Sequence, residues 1–316
     1  MAVSNETRRF GAEQTQRQLG RLAFQINRTL KFRDPGAVHD LRVAIRAFTQ
    51  ALRVFEPCFP GKQLRKIRRR LKKIMIPSGE VRNCDVALTL LSKSRRADAD
   101  NLVTKLRSRR TEFEHVLVSE LRRWVERKTS LKWRVALNTE PSTKAATAFG
   151  SAPIGKTAEQ TLRRMARDYF ARGNEASKAS APPEGLHRFR IATKKFRYTL
   201  DLFAPLYGPP LGDRLASIKH IQTLLGDTHD CVIVRELVSH YDGSDNLMAR
   251  LRKMQRKKTE EFQQRWHEEF GDAKKARSWI DFLGNLEGKP REVKKPVARS
   301  TSASSSPSRR SRVVVA

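Results

Sequence analysis

Apolar residues recur along most of this chain at spacings of three and four residues, with Leu, Phe, Ile and Ala in the repeating positions. This periodicity is typical of helices with one buried face, and no stretch shows the sustained alternation of half-buried strands. The pattern therefore predicts an all-α fold. Proline and glycine divide it into helices of roughly two to seven turns, as in helical bundles. The predicted breaks are at 34–36, 57–61, 77–79, 141–155, 173–185 and 207–212.

The chain contains an internal repeat of this helical pattern. Residues 38–57 (VHDLRVAIRAFTQALRVFEP) align without a gap on residues 186–205 (LHRFRIATKKFRYTLDLFAP) at a shift of 148. Residues 71–86 align on residues 218–233 at a shift of 147, which places Gly79 on Gly226. Two shifts that differ by one residue indicate two copies of one helical module with a difference in loop length. We therefore expect two tandem four-helix bundles related by a pseudo-two-fold axis.

The composition changes near the end of the chain. From residue 288 onward Lys, Arg, Ser and Pro dominate, and the apolar content is too low to offset the entropy of ordering, so a disordered tail is expected. These residues hold eight Lys and Arg and one Glu, a net +7 of the formal +32, which leaves +25 on the preceding residues. The predicted divisions are an N-terminal extension at 1–10, a first copy at 11–140, a linker at 141–155, a second copy at 156–286 and a tail at 287–316.

Two predicted helices carry basic residues on one face and core residues on another. Successive residues of an α-helix lie about 100° apart, which puts Phe48, Phe55, Phe196 and Phe203 on core faces. A solvated face normally mixes charge signs in i,i+4 pairs, whereas these basic stripes are largely of one sign and begin with His in both copies. The stripes are His39, Arg42, Arg46 and Arg53 in the first copy and His187, Arg190, Lys194 and Arg197 in the second.

A third basic stretch follows in residues 61–75 (GKQLRKIRRRLKKIM). Its basic face consists of Lys62, Arg65, Arg69, Lys72 and Lys73. The repeat partner keeps only Lys219 and His220 there, so the predicted site is asymmetric and richer in the first copy. Arg82 and Tyr198 are expected either to line the site or to orient a contact. Ordinary solvation is the favoured interpretation for Lys62, Arg68 and Arg70.

The charge balance indicates an anionic partner. The chain has 65 Lys and Arg against 33 Asp and Glu, and a protein that repels itself this strongly usually binds an anion. Composition leaves open nucleic acid, an anionic membrane face, an acidic protein and a phosphate polymer. Three cysteines without paired spacing predict neither a zinc site nor a disulfide framework. Because no apolar run is long enough for a signal peptide or a membrane span, a cytoplasmic protein without a membrane partner is expected.

Phosphate chemistry accounts for this combination of side chains. Arg binds phosphate oxygens bidentately, Lys is a mobile point charge, and His adds a donor whose strength depends on pH. A charge-assisted hydrogen bond contributes about 1.5–3 kcal/mol, so four or five support tight binding after the costs of association. Acids near helix starts or turns are interpreted as caps or as partners of Arg, without a catalytic role. These acids are Asp40, Glu80, Asp85, Asp227 and Asp230.

Four segments resemble the CHAD family, the conserved histidine α-helical domain: HDLRVAIR at 39–46, GEVRNCDV at 79–86, HRFRIATKKFRY at 187–198 and QTLLGD at 222–227. The resemblance covers residues 11–286 and the two-copy arrangement. It implies long helices that line a central basic channel, binding of inorganic polyphosphate there, and a location on polyphosphate granules in bacteria. By position it implies a channel wall made of His39, Arg42, Arg46, Arg65, Arg69, Lys72, His187, Arg190, Lys194 and Arg197.

The sequence departs from the usual family pattern at two positions. Asn83 stands where Asp is expected, and Thr49 stands where a base is common. These departures affect the expected orientation of side chains near Arg82 more than the family resemblance itself.

The stripes and the resemblance together predict non-catalytic binding of inorganic polyphosphate, with no cofactor and no metal. Nucleic-acid binding through the basic surface or the tail is the alternative, although base stacking requires exposed aromatic residues. An enzyme acting on the same polymer is the third hypothesis; it needs a metal held by carboxylates or an activated nucleophile, and neither is evident on the basic faces. The chain lacks the ExExK strand of the triphosphate-tunnel hydrolases to which some relatives are fused. The sequence predicts no oligomeric state.

Overall fold

The structure, a computed structural model, describes residues 4–92, 99–138, 152–239, 241 and 245–286. Within these ranges the chain forms ten α-helices, one 3-10 turn at Glu56–Cys58 and no strand, which confirms the predicted all-α class. The helices are α1 (Asn5–Phe32), α2 (Pro35–Val54), α3 (Gly61–Ser92), α4 (Ala99–Glu126), α5 (Thr129–Ala136), α6 (Ile154–Ala176), α7 (Pro183–Tyr207), α8 (Pro210–Val238), α9 (Asp245–Phe270) and α10 (Ala273–Leu283). Among the described helices, none is long and apolar enough to cross a membrane. The predicted tail and most of the predicted linker lie outside the described residues.

Helix α2 begins at a predicted break because the local sequence suits a helix start. Asp34 Oδ1 accepts the backbone N–H of Ala37 at 2.8 Å, and Pro35 occupies the first turn. Proline is tolerated there because its missing N–H has no partner within the helix. The predicted boundary at residue 11 instead falls inside α1, where Phe10 stacks on Phe203 with ring centroids 6.0 Å apart.

One predicted break is wrong, because α3 continues through residues 77–79. Pro77 and Ser78 are buried in this helix, and Ser78 Oγ donates to the carbonyl oxygen of Met75 at 3.0 Å. Burial against neighbouring helices offsets the roughly 3 kcal/mol that a proline costs inside a helix. Helix α3 therefore reaches 32 residues, about nine turns, which exceeds the predicted range of helix lengths.

Each half of the described chain contains four long helices and one short one, packed in the same order. In the first half α1 packs on α2, α2 on α3 and α3 on α4, and in the second α6 packs on α7, α7 on α8 and α8 on α9. The short helices α5 and α10 contact the first helix of their own half. Between the halves α1 meets α6, α2 meets α7 and α3 meets α8. A two-fold relation produces such contacts between equivalent helices, and the axis itself stays a prediction.

One hydrophobic core extends through both halves. Phe55, directly after α2, and Phe203 of α7 have ring centroids 5.7 Å apart. A buried hydrogen bond of 2.9 Å joins Gln50 Nε2 to Thr199 Oγ1 across the same pair of helices. At most 1 % of the surface is exposed for the four predicted core residues Phe48, Phe55, Phe196 and Phe203. The shared core fixes the basic faces of α2 and α7 relative to each other.

Candidate functional site

The basic face of α2 is anchored to α3 by Arg42. Its Nη1 donates to the carbonyl oxygen of Met75 at 3.0 Å and to Ser78 Oγ at 3.2 Å. Gly79 makes room for this contact, because a Cβ at that position would lie 3.0 Å from Arg42 Nη1. Burial, followed by the charge of Arg46, lowers the pKa of Arg42 to about 10. The repeated glycine of the sequence therefore has a structural reason in the first copy.

The matching face of α7 carries Arg190 and Lys194. Burial, and then the charge of Arg46 on α2, lowers the pKa of Arg190 to about 10. The Nε of Arg190 is buried and has no hydrogen-bond partner among the described residues. Burial lowers the pKa of Lys194 to about 7, and the charges of Arg190, Arg46 and Arg42 act in the same direction. Two helices from different halves thus bring four cations within range of one another.

Arg82 of α3 and His229 of α8 join this group, together with His39 and His187, which begin the two basic stripes. Desolvation, followed by the charge of Arg82 on α3, lowers the pKa of His39. On α8, desolvation and then the charge of Arg190 lower the pKa of His229 to about 3. The ring of His229 lies 5.0 Å from that of His187, centroid to centroid. His229 is therefore neutral at physiological pH and can donate a hydrogen bond without adding charge.

We refer to these eight residues as the central basic cluster. Each member from the first half has an equivalent in the second, at a shift of 148 for three pairs and 147 for the fourth. The cluster consists of His39, Arg42, Arg46, Arg82, His187, Arg190, Lys194 and His229. An acid, Asp230, lies beside it. Burial raises the pKa of Asp230, and the charges of Arg82 and Arg190 oppose that rise.

The cluster has the electrostatics of a site for a polyvalent anion. Burial and neighbouring like charges both disfavour the charged forms of Arg and Lys, and a bound anion reverses that effect. Arg supplies paired donors for phosphate oxygens, and the neutral side chain of His229 supplies a further donor. Within the described part of the chain, no group of three or more His, Cys, Asp or Glu is placed to hold a metal ion.

The other predicted site residues are exposed or already have partners. Arg197 donates to Gln222 Oε1 at 2.7 Å and to Asp201 Oδ2 at 3.0 Å. Its guanidinium lies 4.5 Å from the ring centroid of Tyr198, a residue that is 5 % exposed. These two side chains therefore contribute to packing around α7. Six more are solvent-exposed on α2, α3 and α8: Arg53, Arg65, Arg69, Lys72, Lys73 and Lys219.

Two of the acids that were assigned no catalytic role pair with arginines of α4. Glu80 Oε2 accepts from Arg109 Nη2 at 3.0 Å, and Asp85 Oδ1 accepts from Arg110 Nε at 2.6 Å. The Asp85 side chain is only 2 % exposed. These contacts confirm the interpretation of both acids as partners of Arg, and they join α3 to α4 next to the cluster.

Sequence reasoning overlooked His229 and gave Arg82 only an intermediate role. The signal was present, because the shift of 147 that places Gly79 on Gly226 also places Arg82 on His229. An Arg aligned with a His does not extend a basic stripe in an obvious way. Both residues also lie on helices other than those that carry the two stripes, so only the packing of α3 and α8 brings them to the cluster.

Comparisons with known proteins agree with this geometry. The family model described as the CHAD domain matches residues 13–239, more than two thirds of the chain. The crystal structure of the CHAD domain from the plant Ricinus communis is similar at 16 % identity and a TM-score of 0.62, covering 90 % of this chain and 94 % of that one. PptA from Streptomyces chartreusis is similar at 16 % identity and a TM-score of 0.57, covering 83 % and 100 % respectively. No curated protein matches this chain. The family match and the shared fold establish that this chain belongs to the CHAD domain family.

Proposed function

We propose that this protein binds inorganic polyphosphate at the central basic cluster and does not transform it. The observation that carries the proposal is the convergence of cations from both halves, which lower one another's pKa where the two halves meet. A ligand with several closely spaced negative charges relieves that repulsion. Polyphosphate has such charges on every unit and gains further from counterion release.

Membership of the CHAD domain family supports the same ligand, because polyphosphate binding is what the resemblance of the sequence motifs implies. Association with polyphosphate granules in the cytoplasm is part of the proposal. A fluorescent fusion of the full chain should gather at granules that a polyphosphate dye stains. It should spread evenly in cells that cannot make the polymer.

Calorimetric titration of the full chain with polyphosphate tests the proposal. Replacing Arg46 and Lys194 with Gln breaks no side-chain hydrogen bond seen in the described structure. We expect this double variant to lose about a hundredfold or more in affinity, because each charge-assisted contact contributes about 1.5–3 kcal/mol. Arg107→Gln with Lys132→Gln is the matched control, since both side chains are exposed on α4 and α5 and the change in charge is the same. Equal losses in both variants would mean that only the overall charge attracts the polymer.

Removal of His39, Arg42, Arg190 and Lys194 together should abolish binding while circular dichroism shows unchanged helicity. Unaltered affinity of this variant would refute the proposed site.

A length-matched RNA, titrated at two salt concentrations, decides between polyphosphate and nucleic acid. Binding through phosphate charges alone weakens steeply with salt. Polyphosphate binding that persists at the higher salt, where RNA binding is lost, therefore supports a specific site. Tighter binding of RNA than of polyphosphate would overturn the proposal in favour of a nucleic-acid-binding protein. Release of phosphate from polyphosphate by pure protein with added magnesium would overturn its non-catalytic part.

A further inference from the structure

A cavity of about 350 Å³ opens beside the central basic cluster, between α7, α8 and α9. His187, Arg190 and His229 form the side that it shares with the cluster. The cavity lies within the range of roughly 300–1,000 Å³ that is usual for small-molecule sites. Its remaining walls include four aliphatic side chains, Leu186, Leu225, Val232 and Ile233.

An inorganic phosphate chain does not account for this cavity. Every unit of the polymer is charged, and placing charge against aliphatic walls without partners is costly. Two carboxylates, Glu184 and Glu236, also line the cavity, and they repel phosphate. The cavity is therefore cationic where it meets the cluster and apolar with acidic groups elsewhere, which suits a ligand with an anionic end and an uncharged end.

We propose that the cavity takes the nucleobase of a nucleoside polyphosphate whose phosphates lie on the central basic cluster. This inference rests on the phosphate-binding role proposed above for that cluster. A nucleobase has flat faces that stack on aromatic rings and a polar edge that forms hydrogen bonds. His187 and His229 provide rings at the junction between phosphates and base. Glu236 provides an acceptor for an exocyclic amino group.

Gln255 of α9 provides the complementary donor. Its Oε1 accepts from Arg235 Nη1 at 2.5 Å, so the NH₂ group is the part of this cavity-lining amide that can donate to a ligand. A base that both donates and accepts along one edge therefore finds a carboxylate and an amide among the residues that line the cavity.

The test compares ATP with inorganic tripolyphosphate, each titrated into the full chain at the same salt concentration. Tripolyphosphate has three phosphates and no adenosine, and its charge is at least as large as that of ATP. A purely electrostatic site therefore binds tripolyphosphate at least as tightly. We expect ATP to bind more tightly by about tenfold, the equivalent of 1.4 kcal/mol.

A variant that fills the cavity separates the two ends of the ligand. Val232→Trp should remove the preference for ATP and leave the affinity for tripolyphosphate unchanged. Val116→Trp is the matched control, because Val116 is 52 % exposed on α4, outside the cavity lining, and this variant should keep the preference. In the unaltered protein, saturation of methyl protons by NMR should transfer to the purine H8 and H2 protons of ATP, a readout that does not depend on any variant folding.

Each outcome distinguishes this inference from the proposed function. If tripolyphosphate and long polyphosphate bind while ATP is no tighter, or if Val232→Trp weakens both small ligands equally, the nucleobase site is refuted and the phosphate site stands. If neither polyphosphate nor either small ligand binds, both proposals fail.

Discussion

The unaltered protein should take up a proton when it binds polyphosphate near neutral pH. The variant Lys194→Arg should lose most of that proton uptake. In the free protein the pKa of Lys194 is about 7, because burial and the charges of Arg190, Arg46 and Arg42 disfavour the ammonium form and Asp230 only partly opposes them. About half of the molecules therefore carry a neutral amine at pH 7. A bound polyanion favours the charged form and raises the pKa toward the ordinary value of Lys.

The bound state then holds more protons than the free state at the pH of the assay. Affinity is fully present below pH 7 and falls as the pH rises from 7 toward the pKa of the bound form. Between those values each pH unit weakens binding by up to about tenfold, or 1.36 kcal/mol. Proton uptake should be about half a proton at pH 7 and approach one near pH 8.

Calorimetry at pH 8 in buffers of low and high ionisation enthalpy measures this uptake as the slope of observed enthalpy against ionisation enthalpy. The variant Lys194→Arg keeps a permanent charge, so its slope should be smaller by nearly one proton and its affinity should persist to higher pH. Protons from the ends of the polymer contribute equally to both proteins and cancel in the difference. Arg42 and Arg190, with pKa values near 10, stay charged at pH 8. Equal slopes for the two proteins would refute the reasoning.

Two further predictions concern the support of the cluster. A Cβ at Gly226 would meet open space, so Gly226→Ala should raise the free energy of unfolding by about 0.5–1 kcal/mol. A Cβ at Gly79 would crowd Arg42, so Gly79→Ala should gain less stability and should weaken polyphosphate binding. Equal gains in urea unfolding with unchanged affinity would contradict this. Arg110→Ala leaves the buried carboxylate of Asp85 without that partner and should cost roughly 3–5 kcal/mol. Adding Asp85→Asn should recover part of that loss in thermal melts, and no recovery would argue against an uncompensated charge.

The sequence predicted much of the secondary structure because helices leave a local signal. A period of 3.6 residues places i, i+3 and i+7 on one face, so the stripes beginning at His39 and His187 could be identified without tertiary information. The internal repeat strengthened that identification, since one basic face could be ordinary solvated surface. The break predicted at Pro77 failed because local propensity is overridden when burial offsets the cost of a proline.

Family membership was also within reach of the sequence, since short motifs at fixed spacing survive where overall identity is low. The residues of the candidate site could be identified only in part. Arg42 and Lys194 were found because each continues a stripe. His229 was not, because its contribution depends on where α8 lies relative to α7, and helix periodicity carries no information about that placement.

The sequence by itself determined which side chains share a helix face, and only the tertiary structure decided which faces meet. The basic faces of α2 and α7 converge because Gln50 and Thr199, together with the phenylalanines around them, join these two helices in the core between the halves. Arg65 and Lys72 of α3 belong to an equally basic stretch, yet both side chains are exposed. Convergence is what buries Lys194 and brings its pKa close to neutrality, since desolvation and like charges act through space and not along the chain.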